Sequence, residues 1–171
     1  MSKYLISCLL TLLFVAICAN ATATETGDNA IRPGEIWADN FGKHINAHGG
    51  GVLYYNGAYY WFGEHKAENT SSAMVGVMCY SSKNLTDWKN CGVALSVSDE
   101  KGNDIERGCI LERPKVIYNK KTNKFVMWFH LELKGKGYSA ARFGVAISDK
   151  VTGPISSCVQ AELTLRPFQV R

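Results

Sequence analysis

The chain has 171 residues and a formal net charge of +4, from 19 Lys and Arg against 15 Asp and Glu. This length allows one modest globular domain at most. The basic residues are spread along the chain without forming a block, so a nucleic-acid-binding protein is not expected.

The first residues have the pattern of a secretory signal peptide over 1–21. Lys3 supplies a positive charge, residues 5–17 are apolar, and 19–21 (ANA) have the small-x-small pattern of a cleavage site. The apolar run is short for a bilayer, so no membrane span is expected and the location is secreted or periplasmic. Lipid anchoring at Cys18 is the less favoured alternative, because the residue before it is not small. A polar leader is expected over 22–35.

A β-hairpin is predicted in residues 47–64, AHGGGVLYYNGAYYWFGE. Its strands cover 52–55 and 59–62, and Asn56-Gly57 between them tolerate the positive φ of a tight turn. Three glycines, 49–51, precede it, and such a run is typical of a place where a ligand or another backbone approaches closely. Because the second strand leads to Glu64, we interpret the hairpin as one wall of a polar-ligand cleft. A buried hairpin whose aromatic residues fill a core is the alternative.

The strand pattern occurs twice. Further β-rich runs cover 75–82 and 91–97, with turn residues between them. Later segments repeat the earlier ones: PKVIYN resembles GVLYYN, FVMWFH resembles YYWFGE, and FGVAISD resembles VGVMCYSS. Two four-strand units at a spacing of roughly sixty residues fit propeller blades with enlarged loops. The sequence therefore predicts an all-β fold.

Four residues are candidates for chemistry on the residue pattern alone. Glu64 ends a strand of the first unit, and Glu112 precedes the first strand of the second, where Arg113 and Lys115 flank it and are expected to keep it ionised. A surface ion pair with Arg113 is the simpler interpretation of Glu112. His48 is either an acid, base or ligand-binding group or a structural histidine. Tyr138 either donates its hydroxyl to a ligand or is an exposed loop aromatic; these alternatives stay open here.

The cysteines outside the signal region are four: Cys79, Cys91, Cys109 and Cys158. They allow three disulfide pairings, among which the sequence does not choose, although Cys79 and Cys91 are placed to face each other across one hairpin. No two form a C-x-x-C pair, so a zinc site is not expected. No acidic cluster indicates calcium, and no cofactor is expected.

Four strings carry a resemblance to a known family: AHGGGVLYYNGAYYWFGEHK, CYSSKNLTDWKNCGVAL, ERPKVIYNKKTNKFVMWFHLE and FGVAISDKVTGP. Over 36–154 they are similar to the opening of glycoside hydrolase family 43, in the branch of the exo-acting galactan 1,3-β-galactosidases. The resemblance implies a five-bladed β-propeller that cleaves β-1,3-galactan with inversion. It also implies that 36–171 are a truncated N-terminal part holding about the first two four-stranded blades, inactive alone.

The resemblance also implies roles for the candidate residues. Glu112 corresponds to the carboxylate that orients the general acid and adjusts its pKa, Glu64 to a sugar-binding carboxylate, and Tyr138 to a tyrosine of the sugar subsite. His48 and Gly49 would line the pocket floor, where most of the wider family carries an Asp as general base. The family's general acid comes from the third blade, so this chain is expected to lack it. Family relatives sometimes hold a calcium ion near the propeller centre.

A secreted carbohydrate-binding protein without chemistry is the alternative function, with Trp61, Trp88 or Trp128 as stacking platforms. A polysaccharide or oligosaccharide partner is expected in both cases. The oligomeric state stays open.

Overall fold

A computed structural model describes residues 30–153, residue 155 and residues 157–161, the last by their backbone alone. The expected signal peptide over 1–21, with Cys18, lies outside the described residues, as do the first eight positions of the 22–35 leader, Pro154, and the side chain of Cys158.

Within the described residues, eight strands form two antiparallel four-stranded sheets, each in chain order. The first sheet contains β1 (His48–Tyr55), β2 (Ala58–Glu64), β3 (Gly76–Ser82) and β4 (Lys89–Ser96). The second contains β5 (Ile110–Asn119), β6 (Lys124–Glu132), β7 (Ala141–Ser148) and β8 (Ser157–Ala161), with a 3-10 turn at Tyr138–Ala140 before β7. The predicted all-β fold and its two four-strand units are confirmed. The described part of the chain contains no helix long and apolar enough to cross a membrane.

The first hairpin has the predicted turn. Tyr55 pairs with Ala58, and the two residues between them, Asn56 and Gly57, have φ angles of 48° and 80°. Positive φ at both central residues defines the tight turn whose twist suits a two-residue hairpin. The strands extend beyond the predicted ends, to His48 and Glu64, which are partners in the β1–β2 register.

The main core lies between the two sheets. It contains buried residues from both of them, among which are Phe62, Val77, Cys79, Leu111, Met127 and Phe129. At one end of this core the Tyr55 ring lies 4.8 Å from the Tyr118 ring and 4.9 Å from the Phe125 ring, measured between centroids. The first strands of the two sheets, β1 and β5, are neighbours. The two sheets therefore pack face to face with their first strands side by side.

The residues before β1 cover the other face of the first sheet. Ile45 and Ala47 pack there against Tyr80 and Trp88. Asp39 lies beside them and accepts a hydrogen bond from Asn90 Nδ2 at 2.9 Å. Because Trp88 is only 4 % exposed, its ring is closed to a ligand, and the expectation that it serves as a stacking platform is wrong.

Candidate functional site

Carboxylates of the two sheets meet where β2 ends and β5 begins. Glu64 is the last residue of β2, and Glu112 is the third residue of β5. In β5 the register with β6 slips between Glu112 and Lys115, and Arg113 in this bulge has a φ of 54°. A non-glycine residue in the left-handed region costs about 1–3 kcal/mol, and bulges of this kind often re-aim side chains beside functional sites. The strained bulge follows directly after Glu112.

Lys66 joins the two carboxylates. Its Nζ lies 2.9 Å from Glu64 Oε2 and 3.5 Å from Glu112 Oε1. The Glu64 side chain is 6 % exposed and that of Glu112 is 24 % exposed. A buried carboxylate is stable as an anion only when a cation or hydrogen-bond donors compensate its charge. One ammonium group therefore compensates two neighbouring anions.

His48 completes this arrangement. Its Nδ1 lies 2.8 Å from Glu64 Oε1, and its side chain is 67 % exposed. The buried carboxylate thus holds the ring while the ring itself remains accessible from solvent. We refer to His48, Glu64, Lys66 and Glu112 as the carboxylate cluster.

Asn46 fixes the backbone of Lys66. The Asn46 side chain accepts a hydrogen bond from the backbone N–H of Lys66 at 2.8 Å and donates one to its carbonyl oxygen at 2.9 Å. The Asn46 N–H in turn donates to Tyr80 Oη at 3.1 Å. Both backbone groups of Lys66 are therefore tied to the segment that precedes β1.

The glycine run lies against the second sheet. Lys115 Nζ donates hydrogen bonds to the carbonyl oxygens of Gly49 and Gly50, at 3.0 and 2.7 Å. A Cβ added at Gly51 would lie 2.7 Å from Lys115 Cδ, and one at Gly50 would lie 2.1 Å from the carbonyl oxygen of Phe62. Both distances are shorter than real Cβ contacts. Because Gly50 and Gly51 lack side chains, there is room for the Lys115 side chain of the second sheet and for the backbone of β2.

The cation that contacts Glu112 differs in part from the predicted one. Lys115 was expected to flank this carboxylate, but its amine binds the glycine carbonyls. The cations beside Glu112 are Lys66, whose Nζ lies 3.5 Å from Glu112 Oε1, and Arg113, whose Nη2 lies 4.0 Å from Glu112 Oε2. The expectation for Lys115 is wrong because its side chain extends across the gap between the sheets.

Tyr138 lies apart from the carboxylate cluster. It is 76 % exposed, and its ring stacks on His130 with centroids 5.8 Å apart. His130 is the β6 partner of Glu112 and lies 2.9 Å from Glu132 Oε1 through its Nε2. Tyr138 thus contacts His130, and His130 is the residue that pairs with Glu112.

An open cleft of about 510 Å³ adjoins the cluster. Residues around it include His44, Asn46, His48, Trp61, Lys66 and Glu68. Its volume is typical of small-molecule sites, which measure about 300–1,000 Å³. The Trp61 ring packs edge-on between Trp37 and Trp88, at 6.1 and 5.3 Å, and is therefore held in place.

Lys66 was not predicted as a site residue, although its position relative to Glu64 in the sequence indicates a contact. In the string GEHK, Lys66 stands two residues after Glu64. In an extended chain residues i and i+2 point to the same side, so an amine there is placed to meet the carboxylate.

Within the described ranges, no three His, Cys, Asp or Glu side chains are grouped to hold a metal ion.

The fold is similar to those of several solved glycosidases. A β-1,3-galactosidase of family GH43, solved with galactodeoxynojirimycin, is 56 % identical over 75 % of this chain, with a TM-score of 0.72. The exo-β-1,3-galactanase of Phanerochaete chrysosporium with β-1,3-galactotriose is 38 % identical over 77 % of this chain, with a TM-score of 0.71. An exo-β-1,3-galactanase of Clostridium thermocellum is 38 % identical over 78 %, with a TM-score of 0.69.

This chain spans 38 %, 30 % and 28 % of those three proteins, respectively. No family model matches the sequence, and no curated protein is significantly similar to it. The two sheets correspond to blades of the five-bladed β-propeller of the GH43 relatives. By its sequence identity and its fold, the chain belongs to glycoside hydrolase family 43, in the branch of the β-1,3-galactosidases and exo-β-1,3-galactanases.

Proposed function

We propose that this chain is part of a glycoside hydrolase that releases galactose from the ends of β-1,3-galactan with inversion, and that it supplies the sugar-binding side of the site. The observation that carries the proposal is the pair Glu64 and Glu112, held by Lys66 in a chain 56 % identical to a β-1,3-galactosidase. Export through the signal peptide expected over 1–21 would bring the protein to extracellular polysaccharide.

Glu64 is suited to bind sugar hydroxyls. An ionised carboxylate only accepts hydrogen bonds and offers about four lone-pair positions. His48 occupies one position on Oε1, and Lys66 occupies one position on Oε2. Hydroxyl groups of a galactose unit would donate to the remaining positions. A hydrogen bond to a charged group contributes about 1.5–3 kcal/mol. Because two neighbours already hold the Glu64 side chain in place, little side-chain conformational entropy is lost on binding.

Glu112 is suited to act on a neighbouring acid rather than on the sugar directly. Inverting hydrolysis requires one carboxylic acid that protonates the leaving oxygen and one base that activates water, about 6.5–9.5 Å apart. A negative charge close to such an acid raises its pKa and keeps it protonated at neutral pH. Glu112, partly exposed and paired with Lys66 on one oxygen, would supply that charge. The acid itself is expected from a blade outside the described residues.

The proposal can be tested with a chimera. Residues 30–161 of this chain would replace the matching segment of the GH43 β-1,3-galactosidase, and release of galactose from β-1,3-galactan would be measured. We expect the chimera to be active, Glu112→Gln to lower kcat by roughly 10²-fold, and Glu64→Gln mainly to raise KM. Glu100→Gln, in an exposed loop, is the matched control and should leave both constants unchanged.

Two results would contradict the proposal. An inactive chimera whose circular dichroism matches that of the parent enzyme would show that this segment does not support hydrolysis. Full activity of the Glu112→Gln chimera would remove Glu112 from the mechanism.

One observation favours a binding protein as the second candidate function. Trp128 is 44 % exposed, and its ring lies 5.5 Å from that of Phe143 on the second sheet. An exposed aromatic ring of this kind can stack on a sugar. If the chain binds galactan, loses binding with Trp128→Ala and gives an inactive chimera, this second function replaces the first.

A further inference from the structure

Cys79 and Cys91 lie on neighbouring strands of the first sheet, outside the carboxylate cluster. Cys79 on β3 pairs with Gly92 on β4, and Tyr80 pairs with Asn90, so Cys91 is the extra residue of a β-bulge. It therefore stands next to the residue directly opposite Cys79. Opposite residues in antiparallel strands have Cα atoms about 4.5–5.5 Å apart, and disulfides span about 4.4–6.8 Å. Because Cys91 is displaced by only one residue from the position opposite Cys79, the strand register makes the two cysteines neighbours on adjacent strands.

The two thiols also converge in space. Cys79 is fully buried in the core between the sheets, and Cys91 packs against that same core. The two thiol groups also interact with each other, since each shifts the pKa of the other. Burial, and then the charges of the Cys91 and Cys79 sulfurs, raise the pKa of the Tyr60 hydroxyl on the adjacent strand. Register and packing therefore place the two cysteines beside each other, and the direction of the pKa shifts agrees with this.

Their environments give the two thiols different reactivities. The interaction with Cys79 lowers the pKa of Cys91 to about 6, which favours the thiolate form of Cys91. The interaction with Cys91 and burial raise the pKa of Cys79. Cys91 is only partly buried, and its Sγ lies 3.2 Å from Ser81 Oγ. Cys91 is therefore the thiol that a small oxidant meets first.

We propose that Cys79 and Cys91 form a disulfide site that joins β3 to β4 when the chain meets a low-molecular-weight disulfide oxidant such as glutathione disulfide. The Cys91 thiolate attacks one sulfur of the oxidant, forms a mixed disulfide and releases one glutathione thiolate, which takes up a proton. Cys79 then loses its proton and attacks the Cys91 sulfur, displacing the second glutathione thiolate, which is protonated in turn. The protein loses two electrons and two protons, and the oxidant is reduced to two thiols.

The chain offers a direct test because Lys83 and Lys89 lie between the two cysteines. The reduced 171-residue chain is incubated with glutathione disulfide, remaining thiols are blocked with iodoacetamide, and the tryptic peptides are weighed. We expect peptide 67–83 to be joined to peptide 90–101, two hydrogens lighter than the sum of the two thiol peptides. Cys109, which is fully buried, should remain a thiol and appear as the alkylated peptide after unfolding.

Stability gives a second readout. Closing a loop of this length raises the melting temperature by roughly 10 °C for a chain of this size, and a strong reductant should remove the shift. Cys91→Ser should lose both the linked peptide and the shift, whereas Cys109→Ser should keep both. The proposal is overturned if Cys79 and Cys91 are both recovered alkylated. It is equally overturned if either one is linked instead to Cys109 or Cys158.

Discussion

Replacement of Lys66 by methionine tests whether one amine compensates both carboxylates. Methionine keeps most of the length of the side chain but removes its charge, which leaves Glu64 and Glu112 as neighbouring anions. Removing one partner of a fully buried ion pair costs about 3–5 kcal/mol, and an exposed pair contributes about 0–1 kcal/mol. The Lys66 side chain is 27 % exposed and Glu64 is nearly buried. We therefore expect Lys66→Met to lower the free energy of unfolding by about 2–3 kcal/mol.

The assay is thermal unfolding followed by circular dichroism. A loss of this size lowers the melting temperature by roughly 8 °C in a chain of this length. Lys124→Met is the matched control, because Lys124 pairs with the exposed Asp149 and should change stability by less than about 0.5 kcal/mol. The double variant Lys66→Met with Glu112→Gln should regain part of the loss, since one of the two anions is gone. If Lys66→Met and Lys124→Met were equally mild, the shared-cation argument would be refuted.

Two further variants and one pH profile test neighbouring features. Asn46→Ala removes both side-chain hydrogen bonds to the Lys66 backbone and should lower the free energy of urea unfolding by about 2 kcal/mol; an unchanged midpoint would contradict this. Gly50→Ala places a Cβ 2.1 Å from a backbone carbonyl oxygen and should cost at least about 3 kcal/mol in the same assay. Under reducing conditions, alkylation of Cys91 by iodoacetamide should rise between pH 5 and 7 and then level off, because its pKa is lowered to about 6. A rate that still climbed toward pH 9 would mean an ordinary thiol, and Cys79 should stay unmodified in the folded chain throughout.

The strands were predictable because their signals are local. Asn56 and Gly57 tolerate positive φ, and the aromatic runs on either side of them repeat in the second unit. Each of these features depends on residues close together in the chain. The same local signals gave the division into two four-stranded sheets. They could not give the packing of Trp88, which is buried by the segment before β1, about fifty positions earlier in the sequence.

The candidate site was predictable only in part, because its contacts cross between sheets. Glu64 and His48 lie at the two ends of the predicted hairpin, but it is a register shift between His48 and Gly51 that makes them partners, and this shift was not predicted. Lys66 contacts Glu112 across 46 positions of sequence, and the left-handed Arg113 that follows Glu112 has no local signature. Arg113 is neither Gly nor Asn, the residues that usually adopt such a φ. The roles of these residues therefore came from the family resemblance, whereas the cation that links them came from the structure.

The glycine run has a physical function that does not depend on a ligand. Gly51 lacks positive φ, so an alanine there is compatible with the backbone, but its Cβ would lie 2.7 Å from Lys115 Cδ. Gly51→Ala should therefore displace Lys115 from the carbonyl oxygens it binds and cost about 1–3 kcal/mol. In a Lys115→Ala background the added Cβ keeps an ordinary contact with the Pro114 carbonyl oxygen at 3.4 Å. Gly51→Ala should then be nearly neutral, since alanine also reduces the freedom of the unfolded chain.

A double-mutant cycle on these two residues measures the coupling directly. We expect a coupling free energy of at least about 1 kcal/mol from urea unfolding of the four proteins. Equal costs of Gly51→Ala in both backgrounds would show that the second sheet does not need this glycine. A large coupling would mean that the glycine run first serves to bring β1 and β5 together. In that case the carboxylate cluster forms where it does because Lys115 holds the second sheet, and Glu112 with it, against the end of the first hairpin.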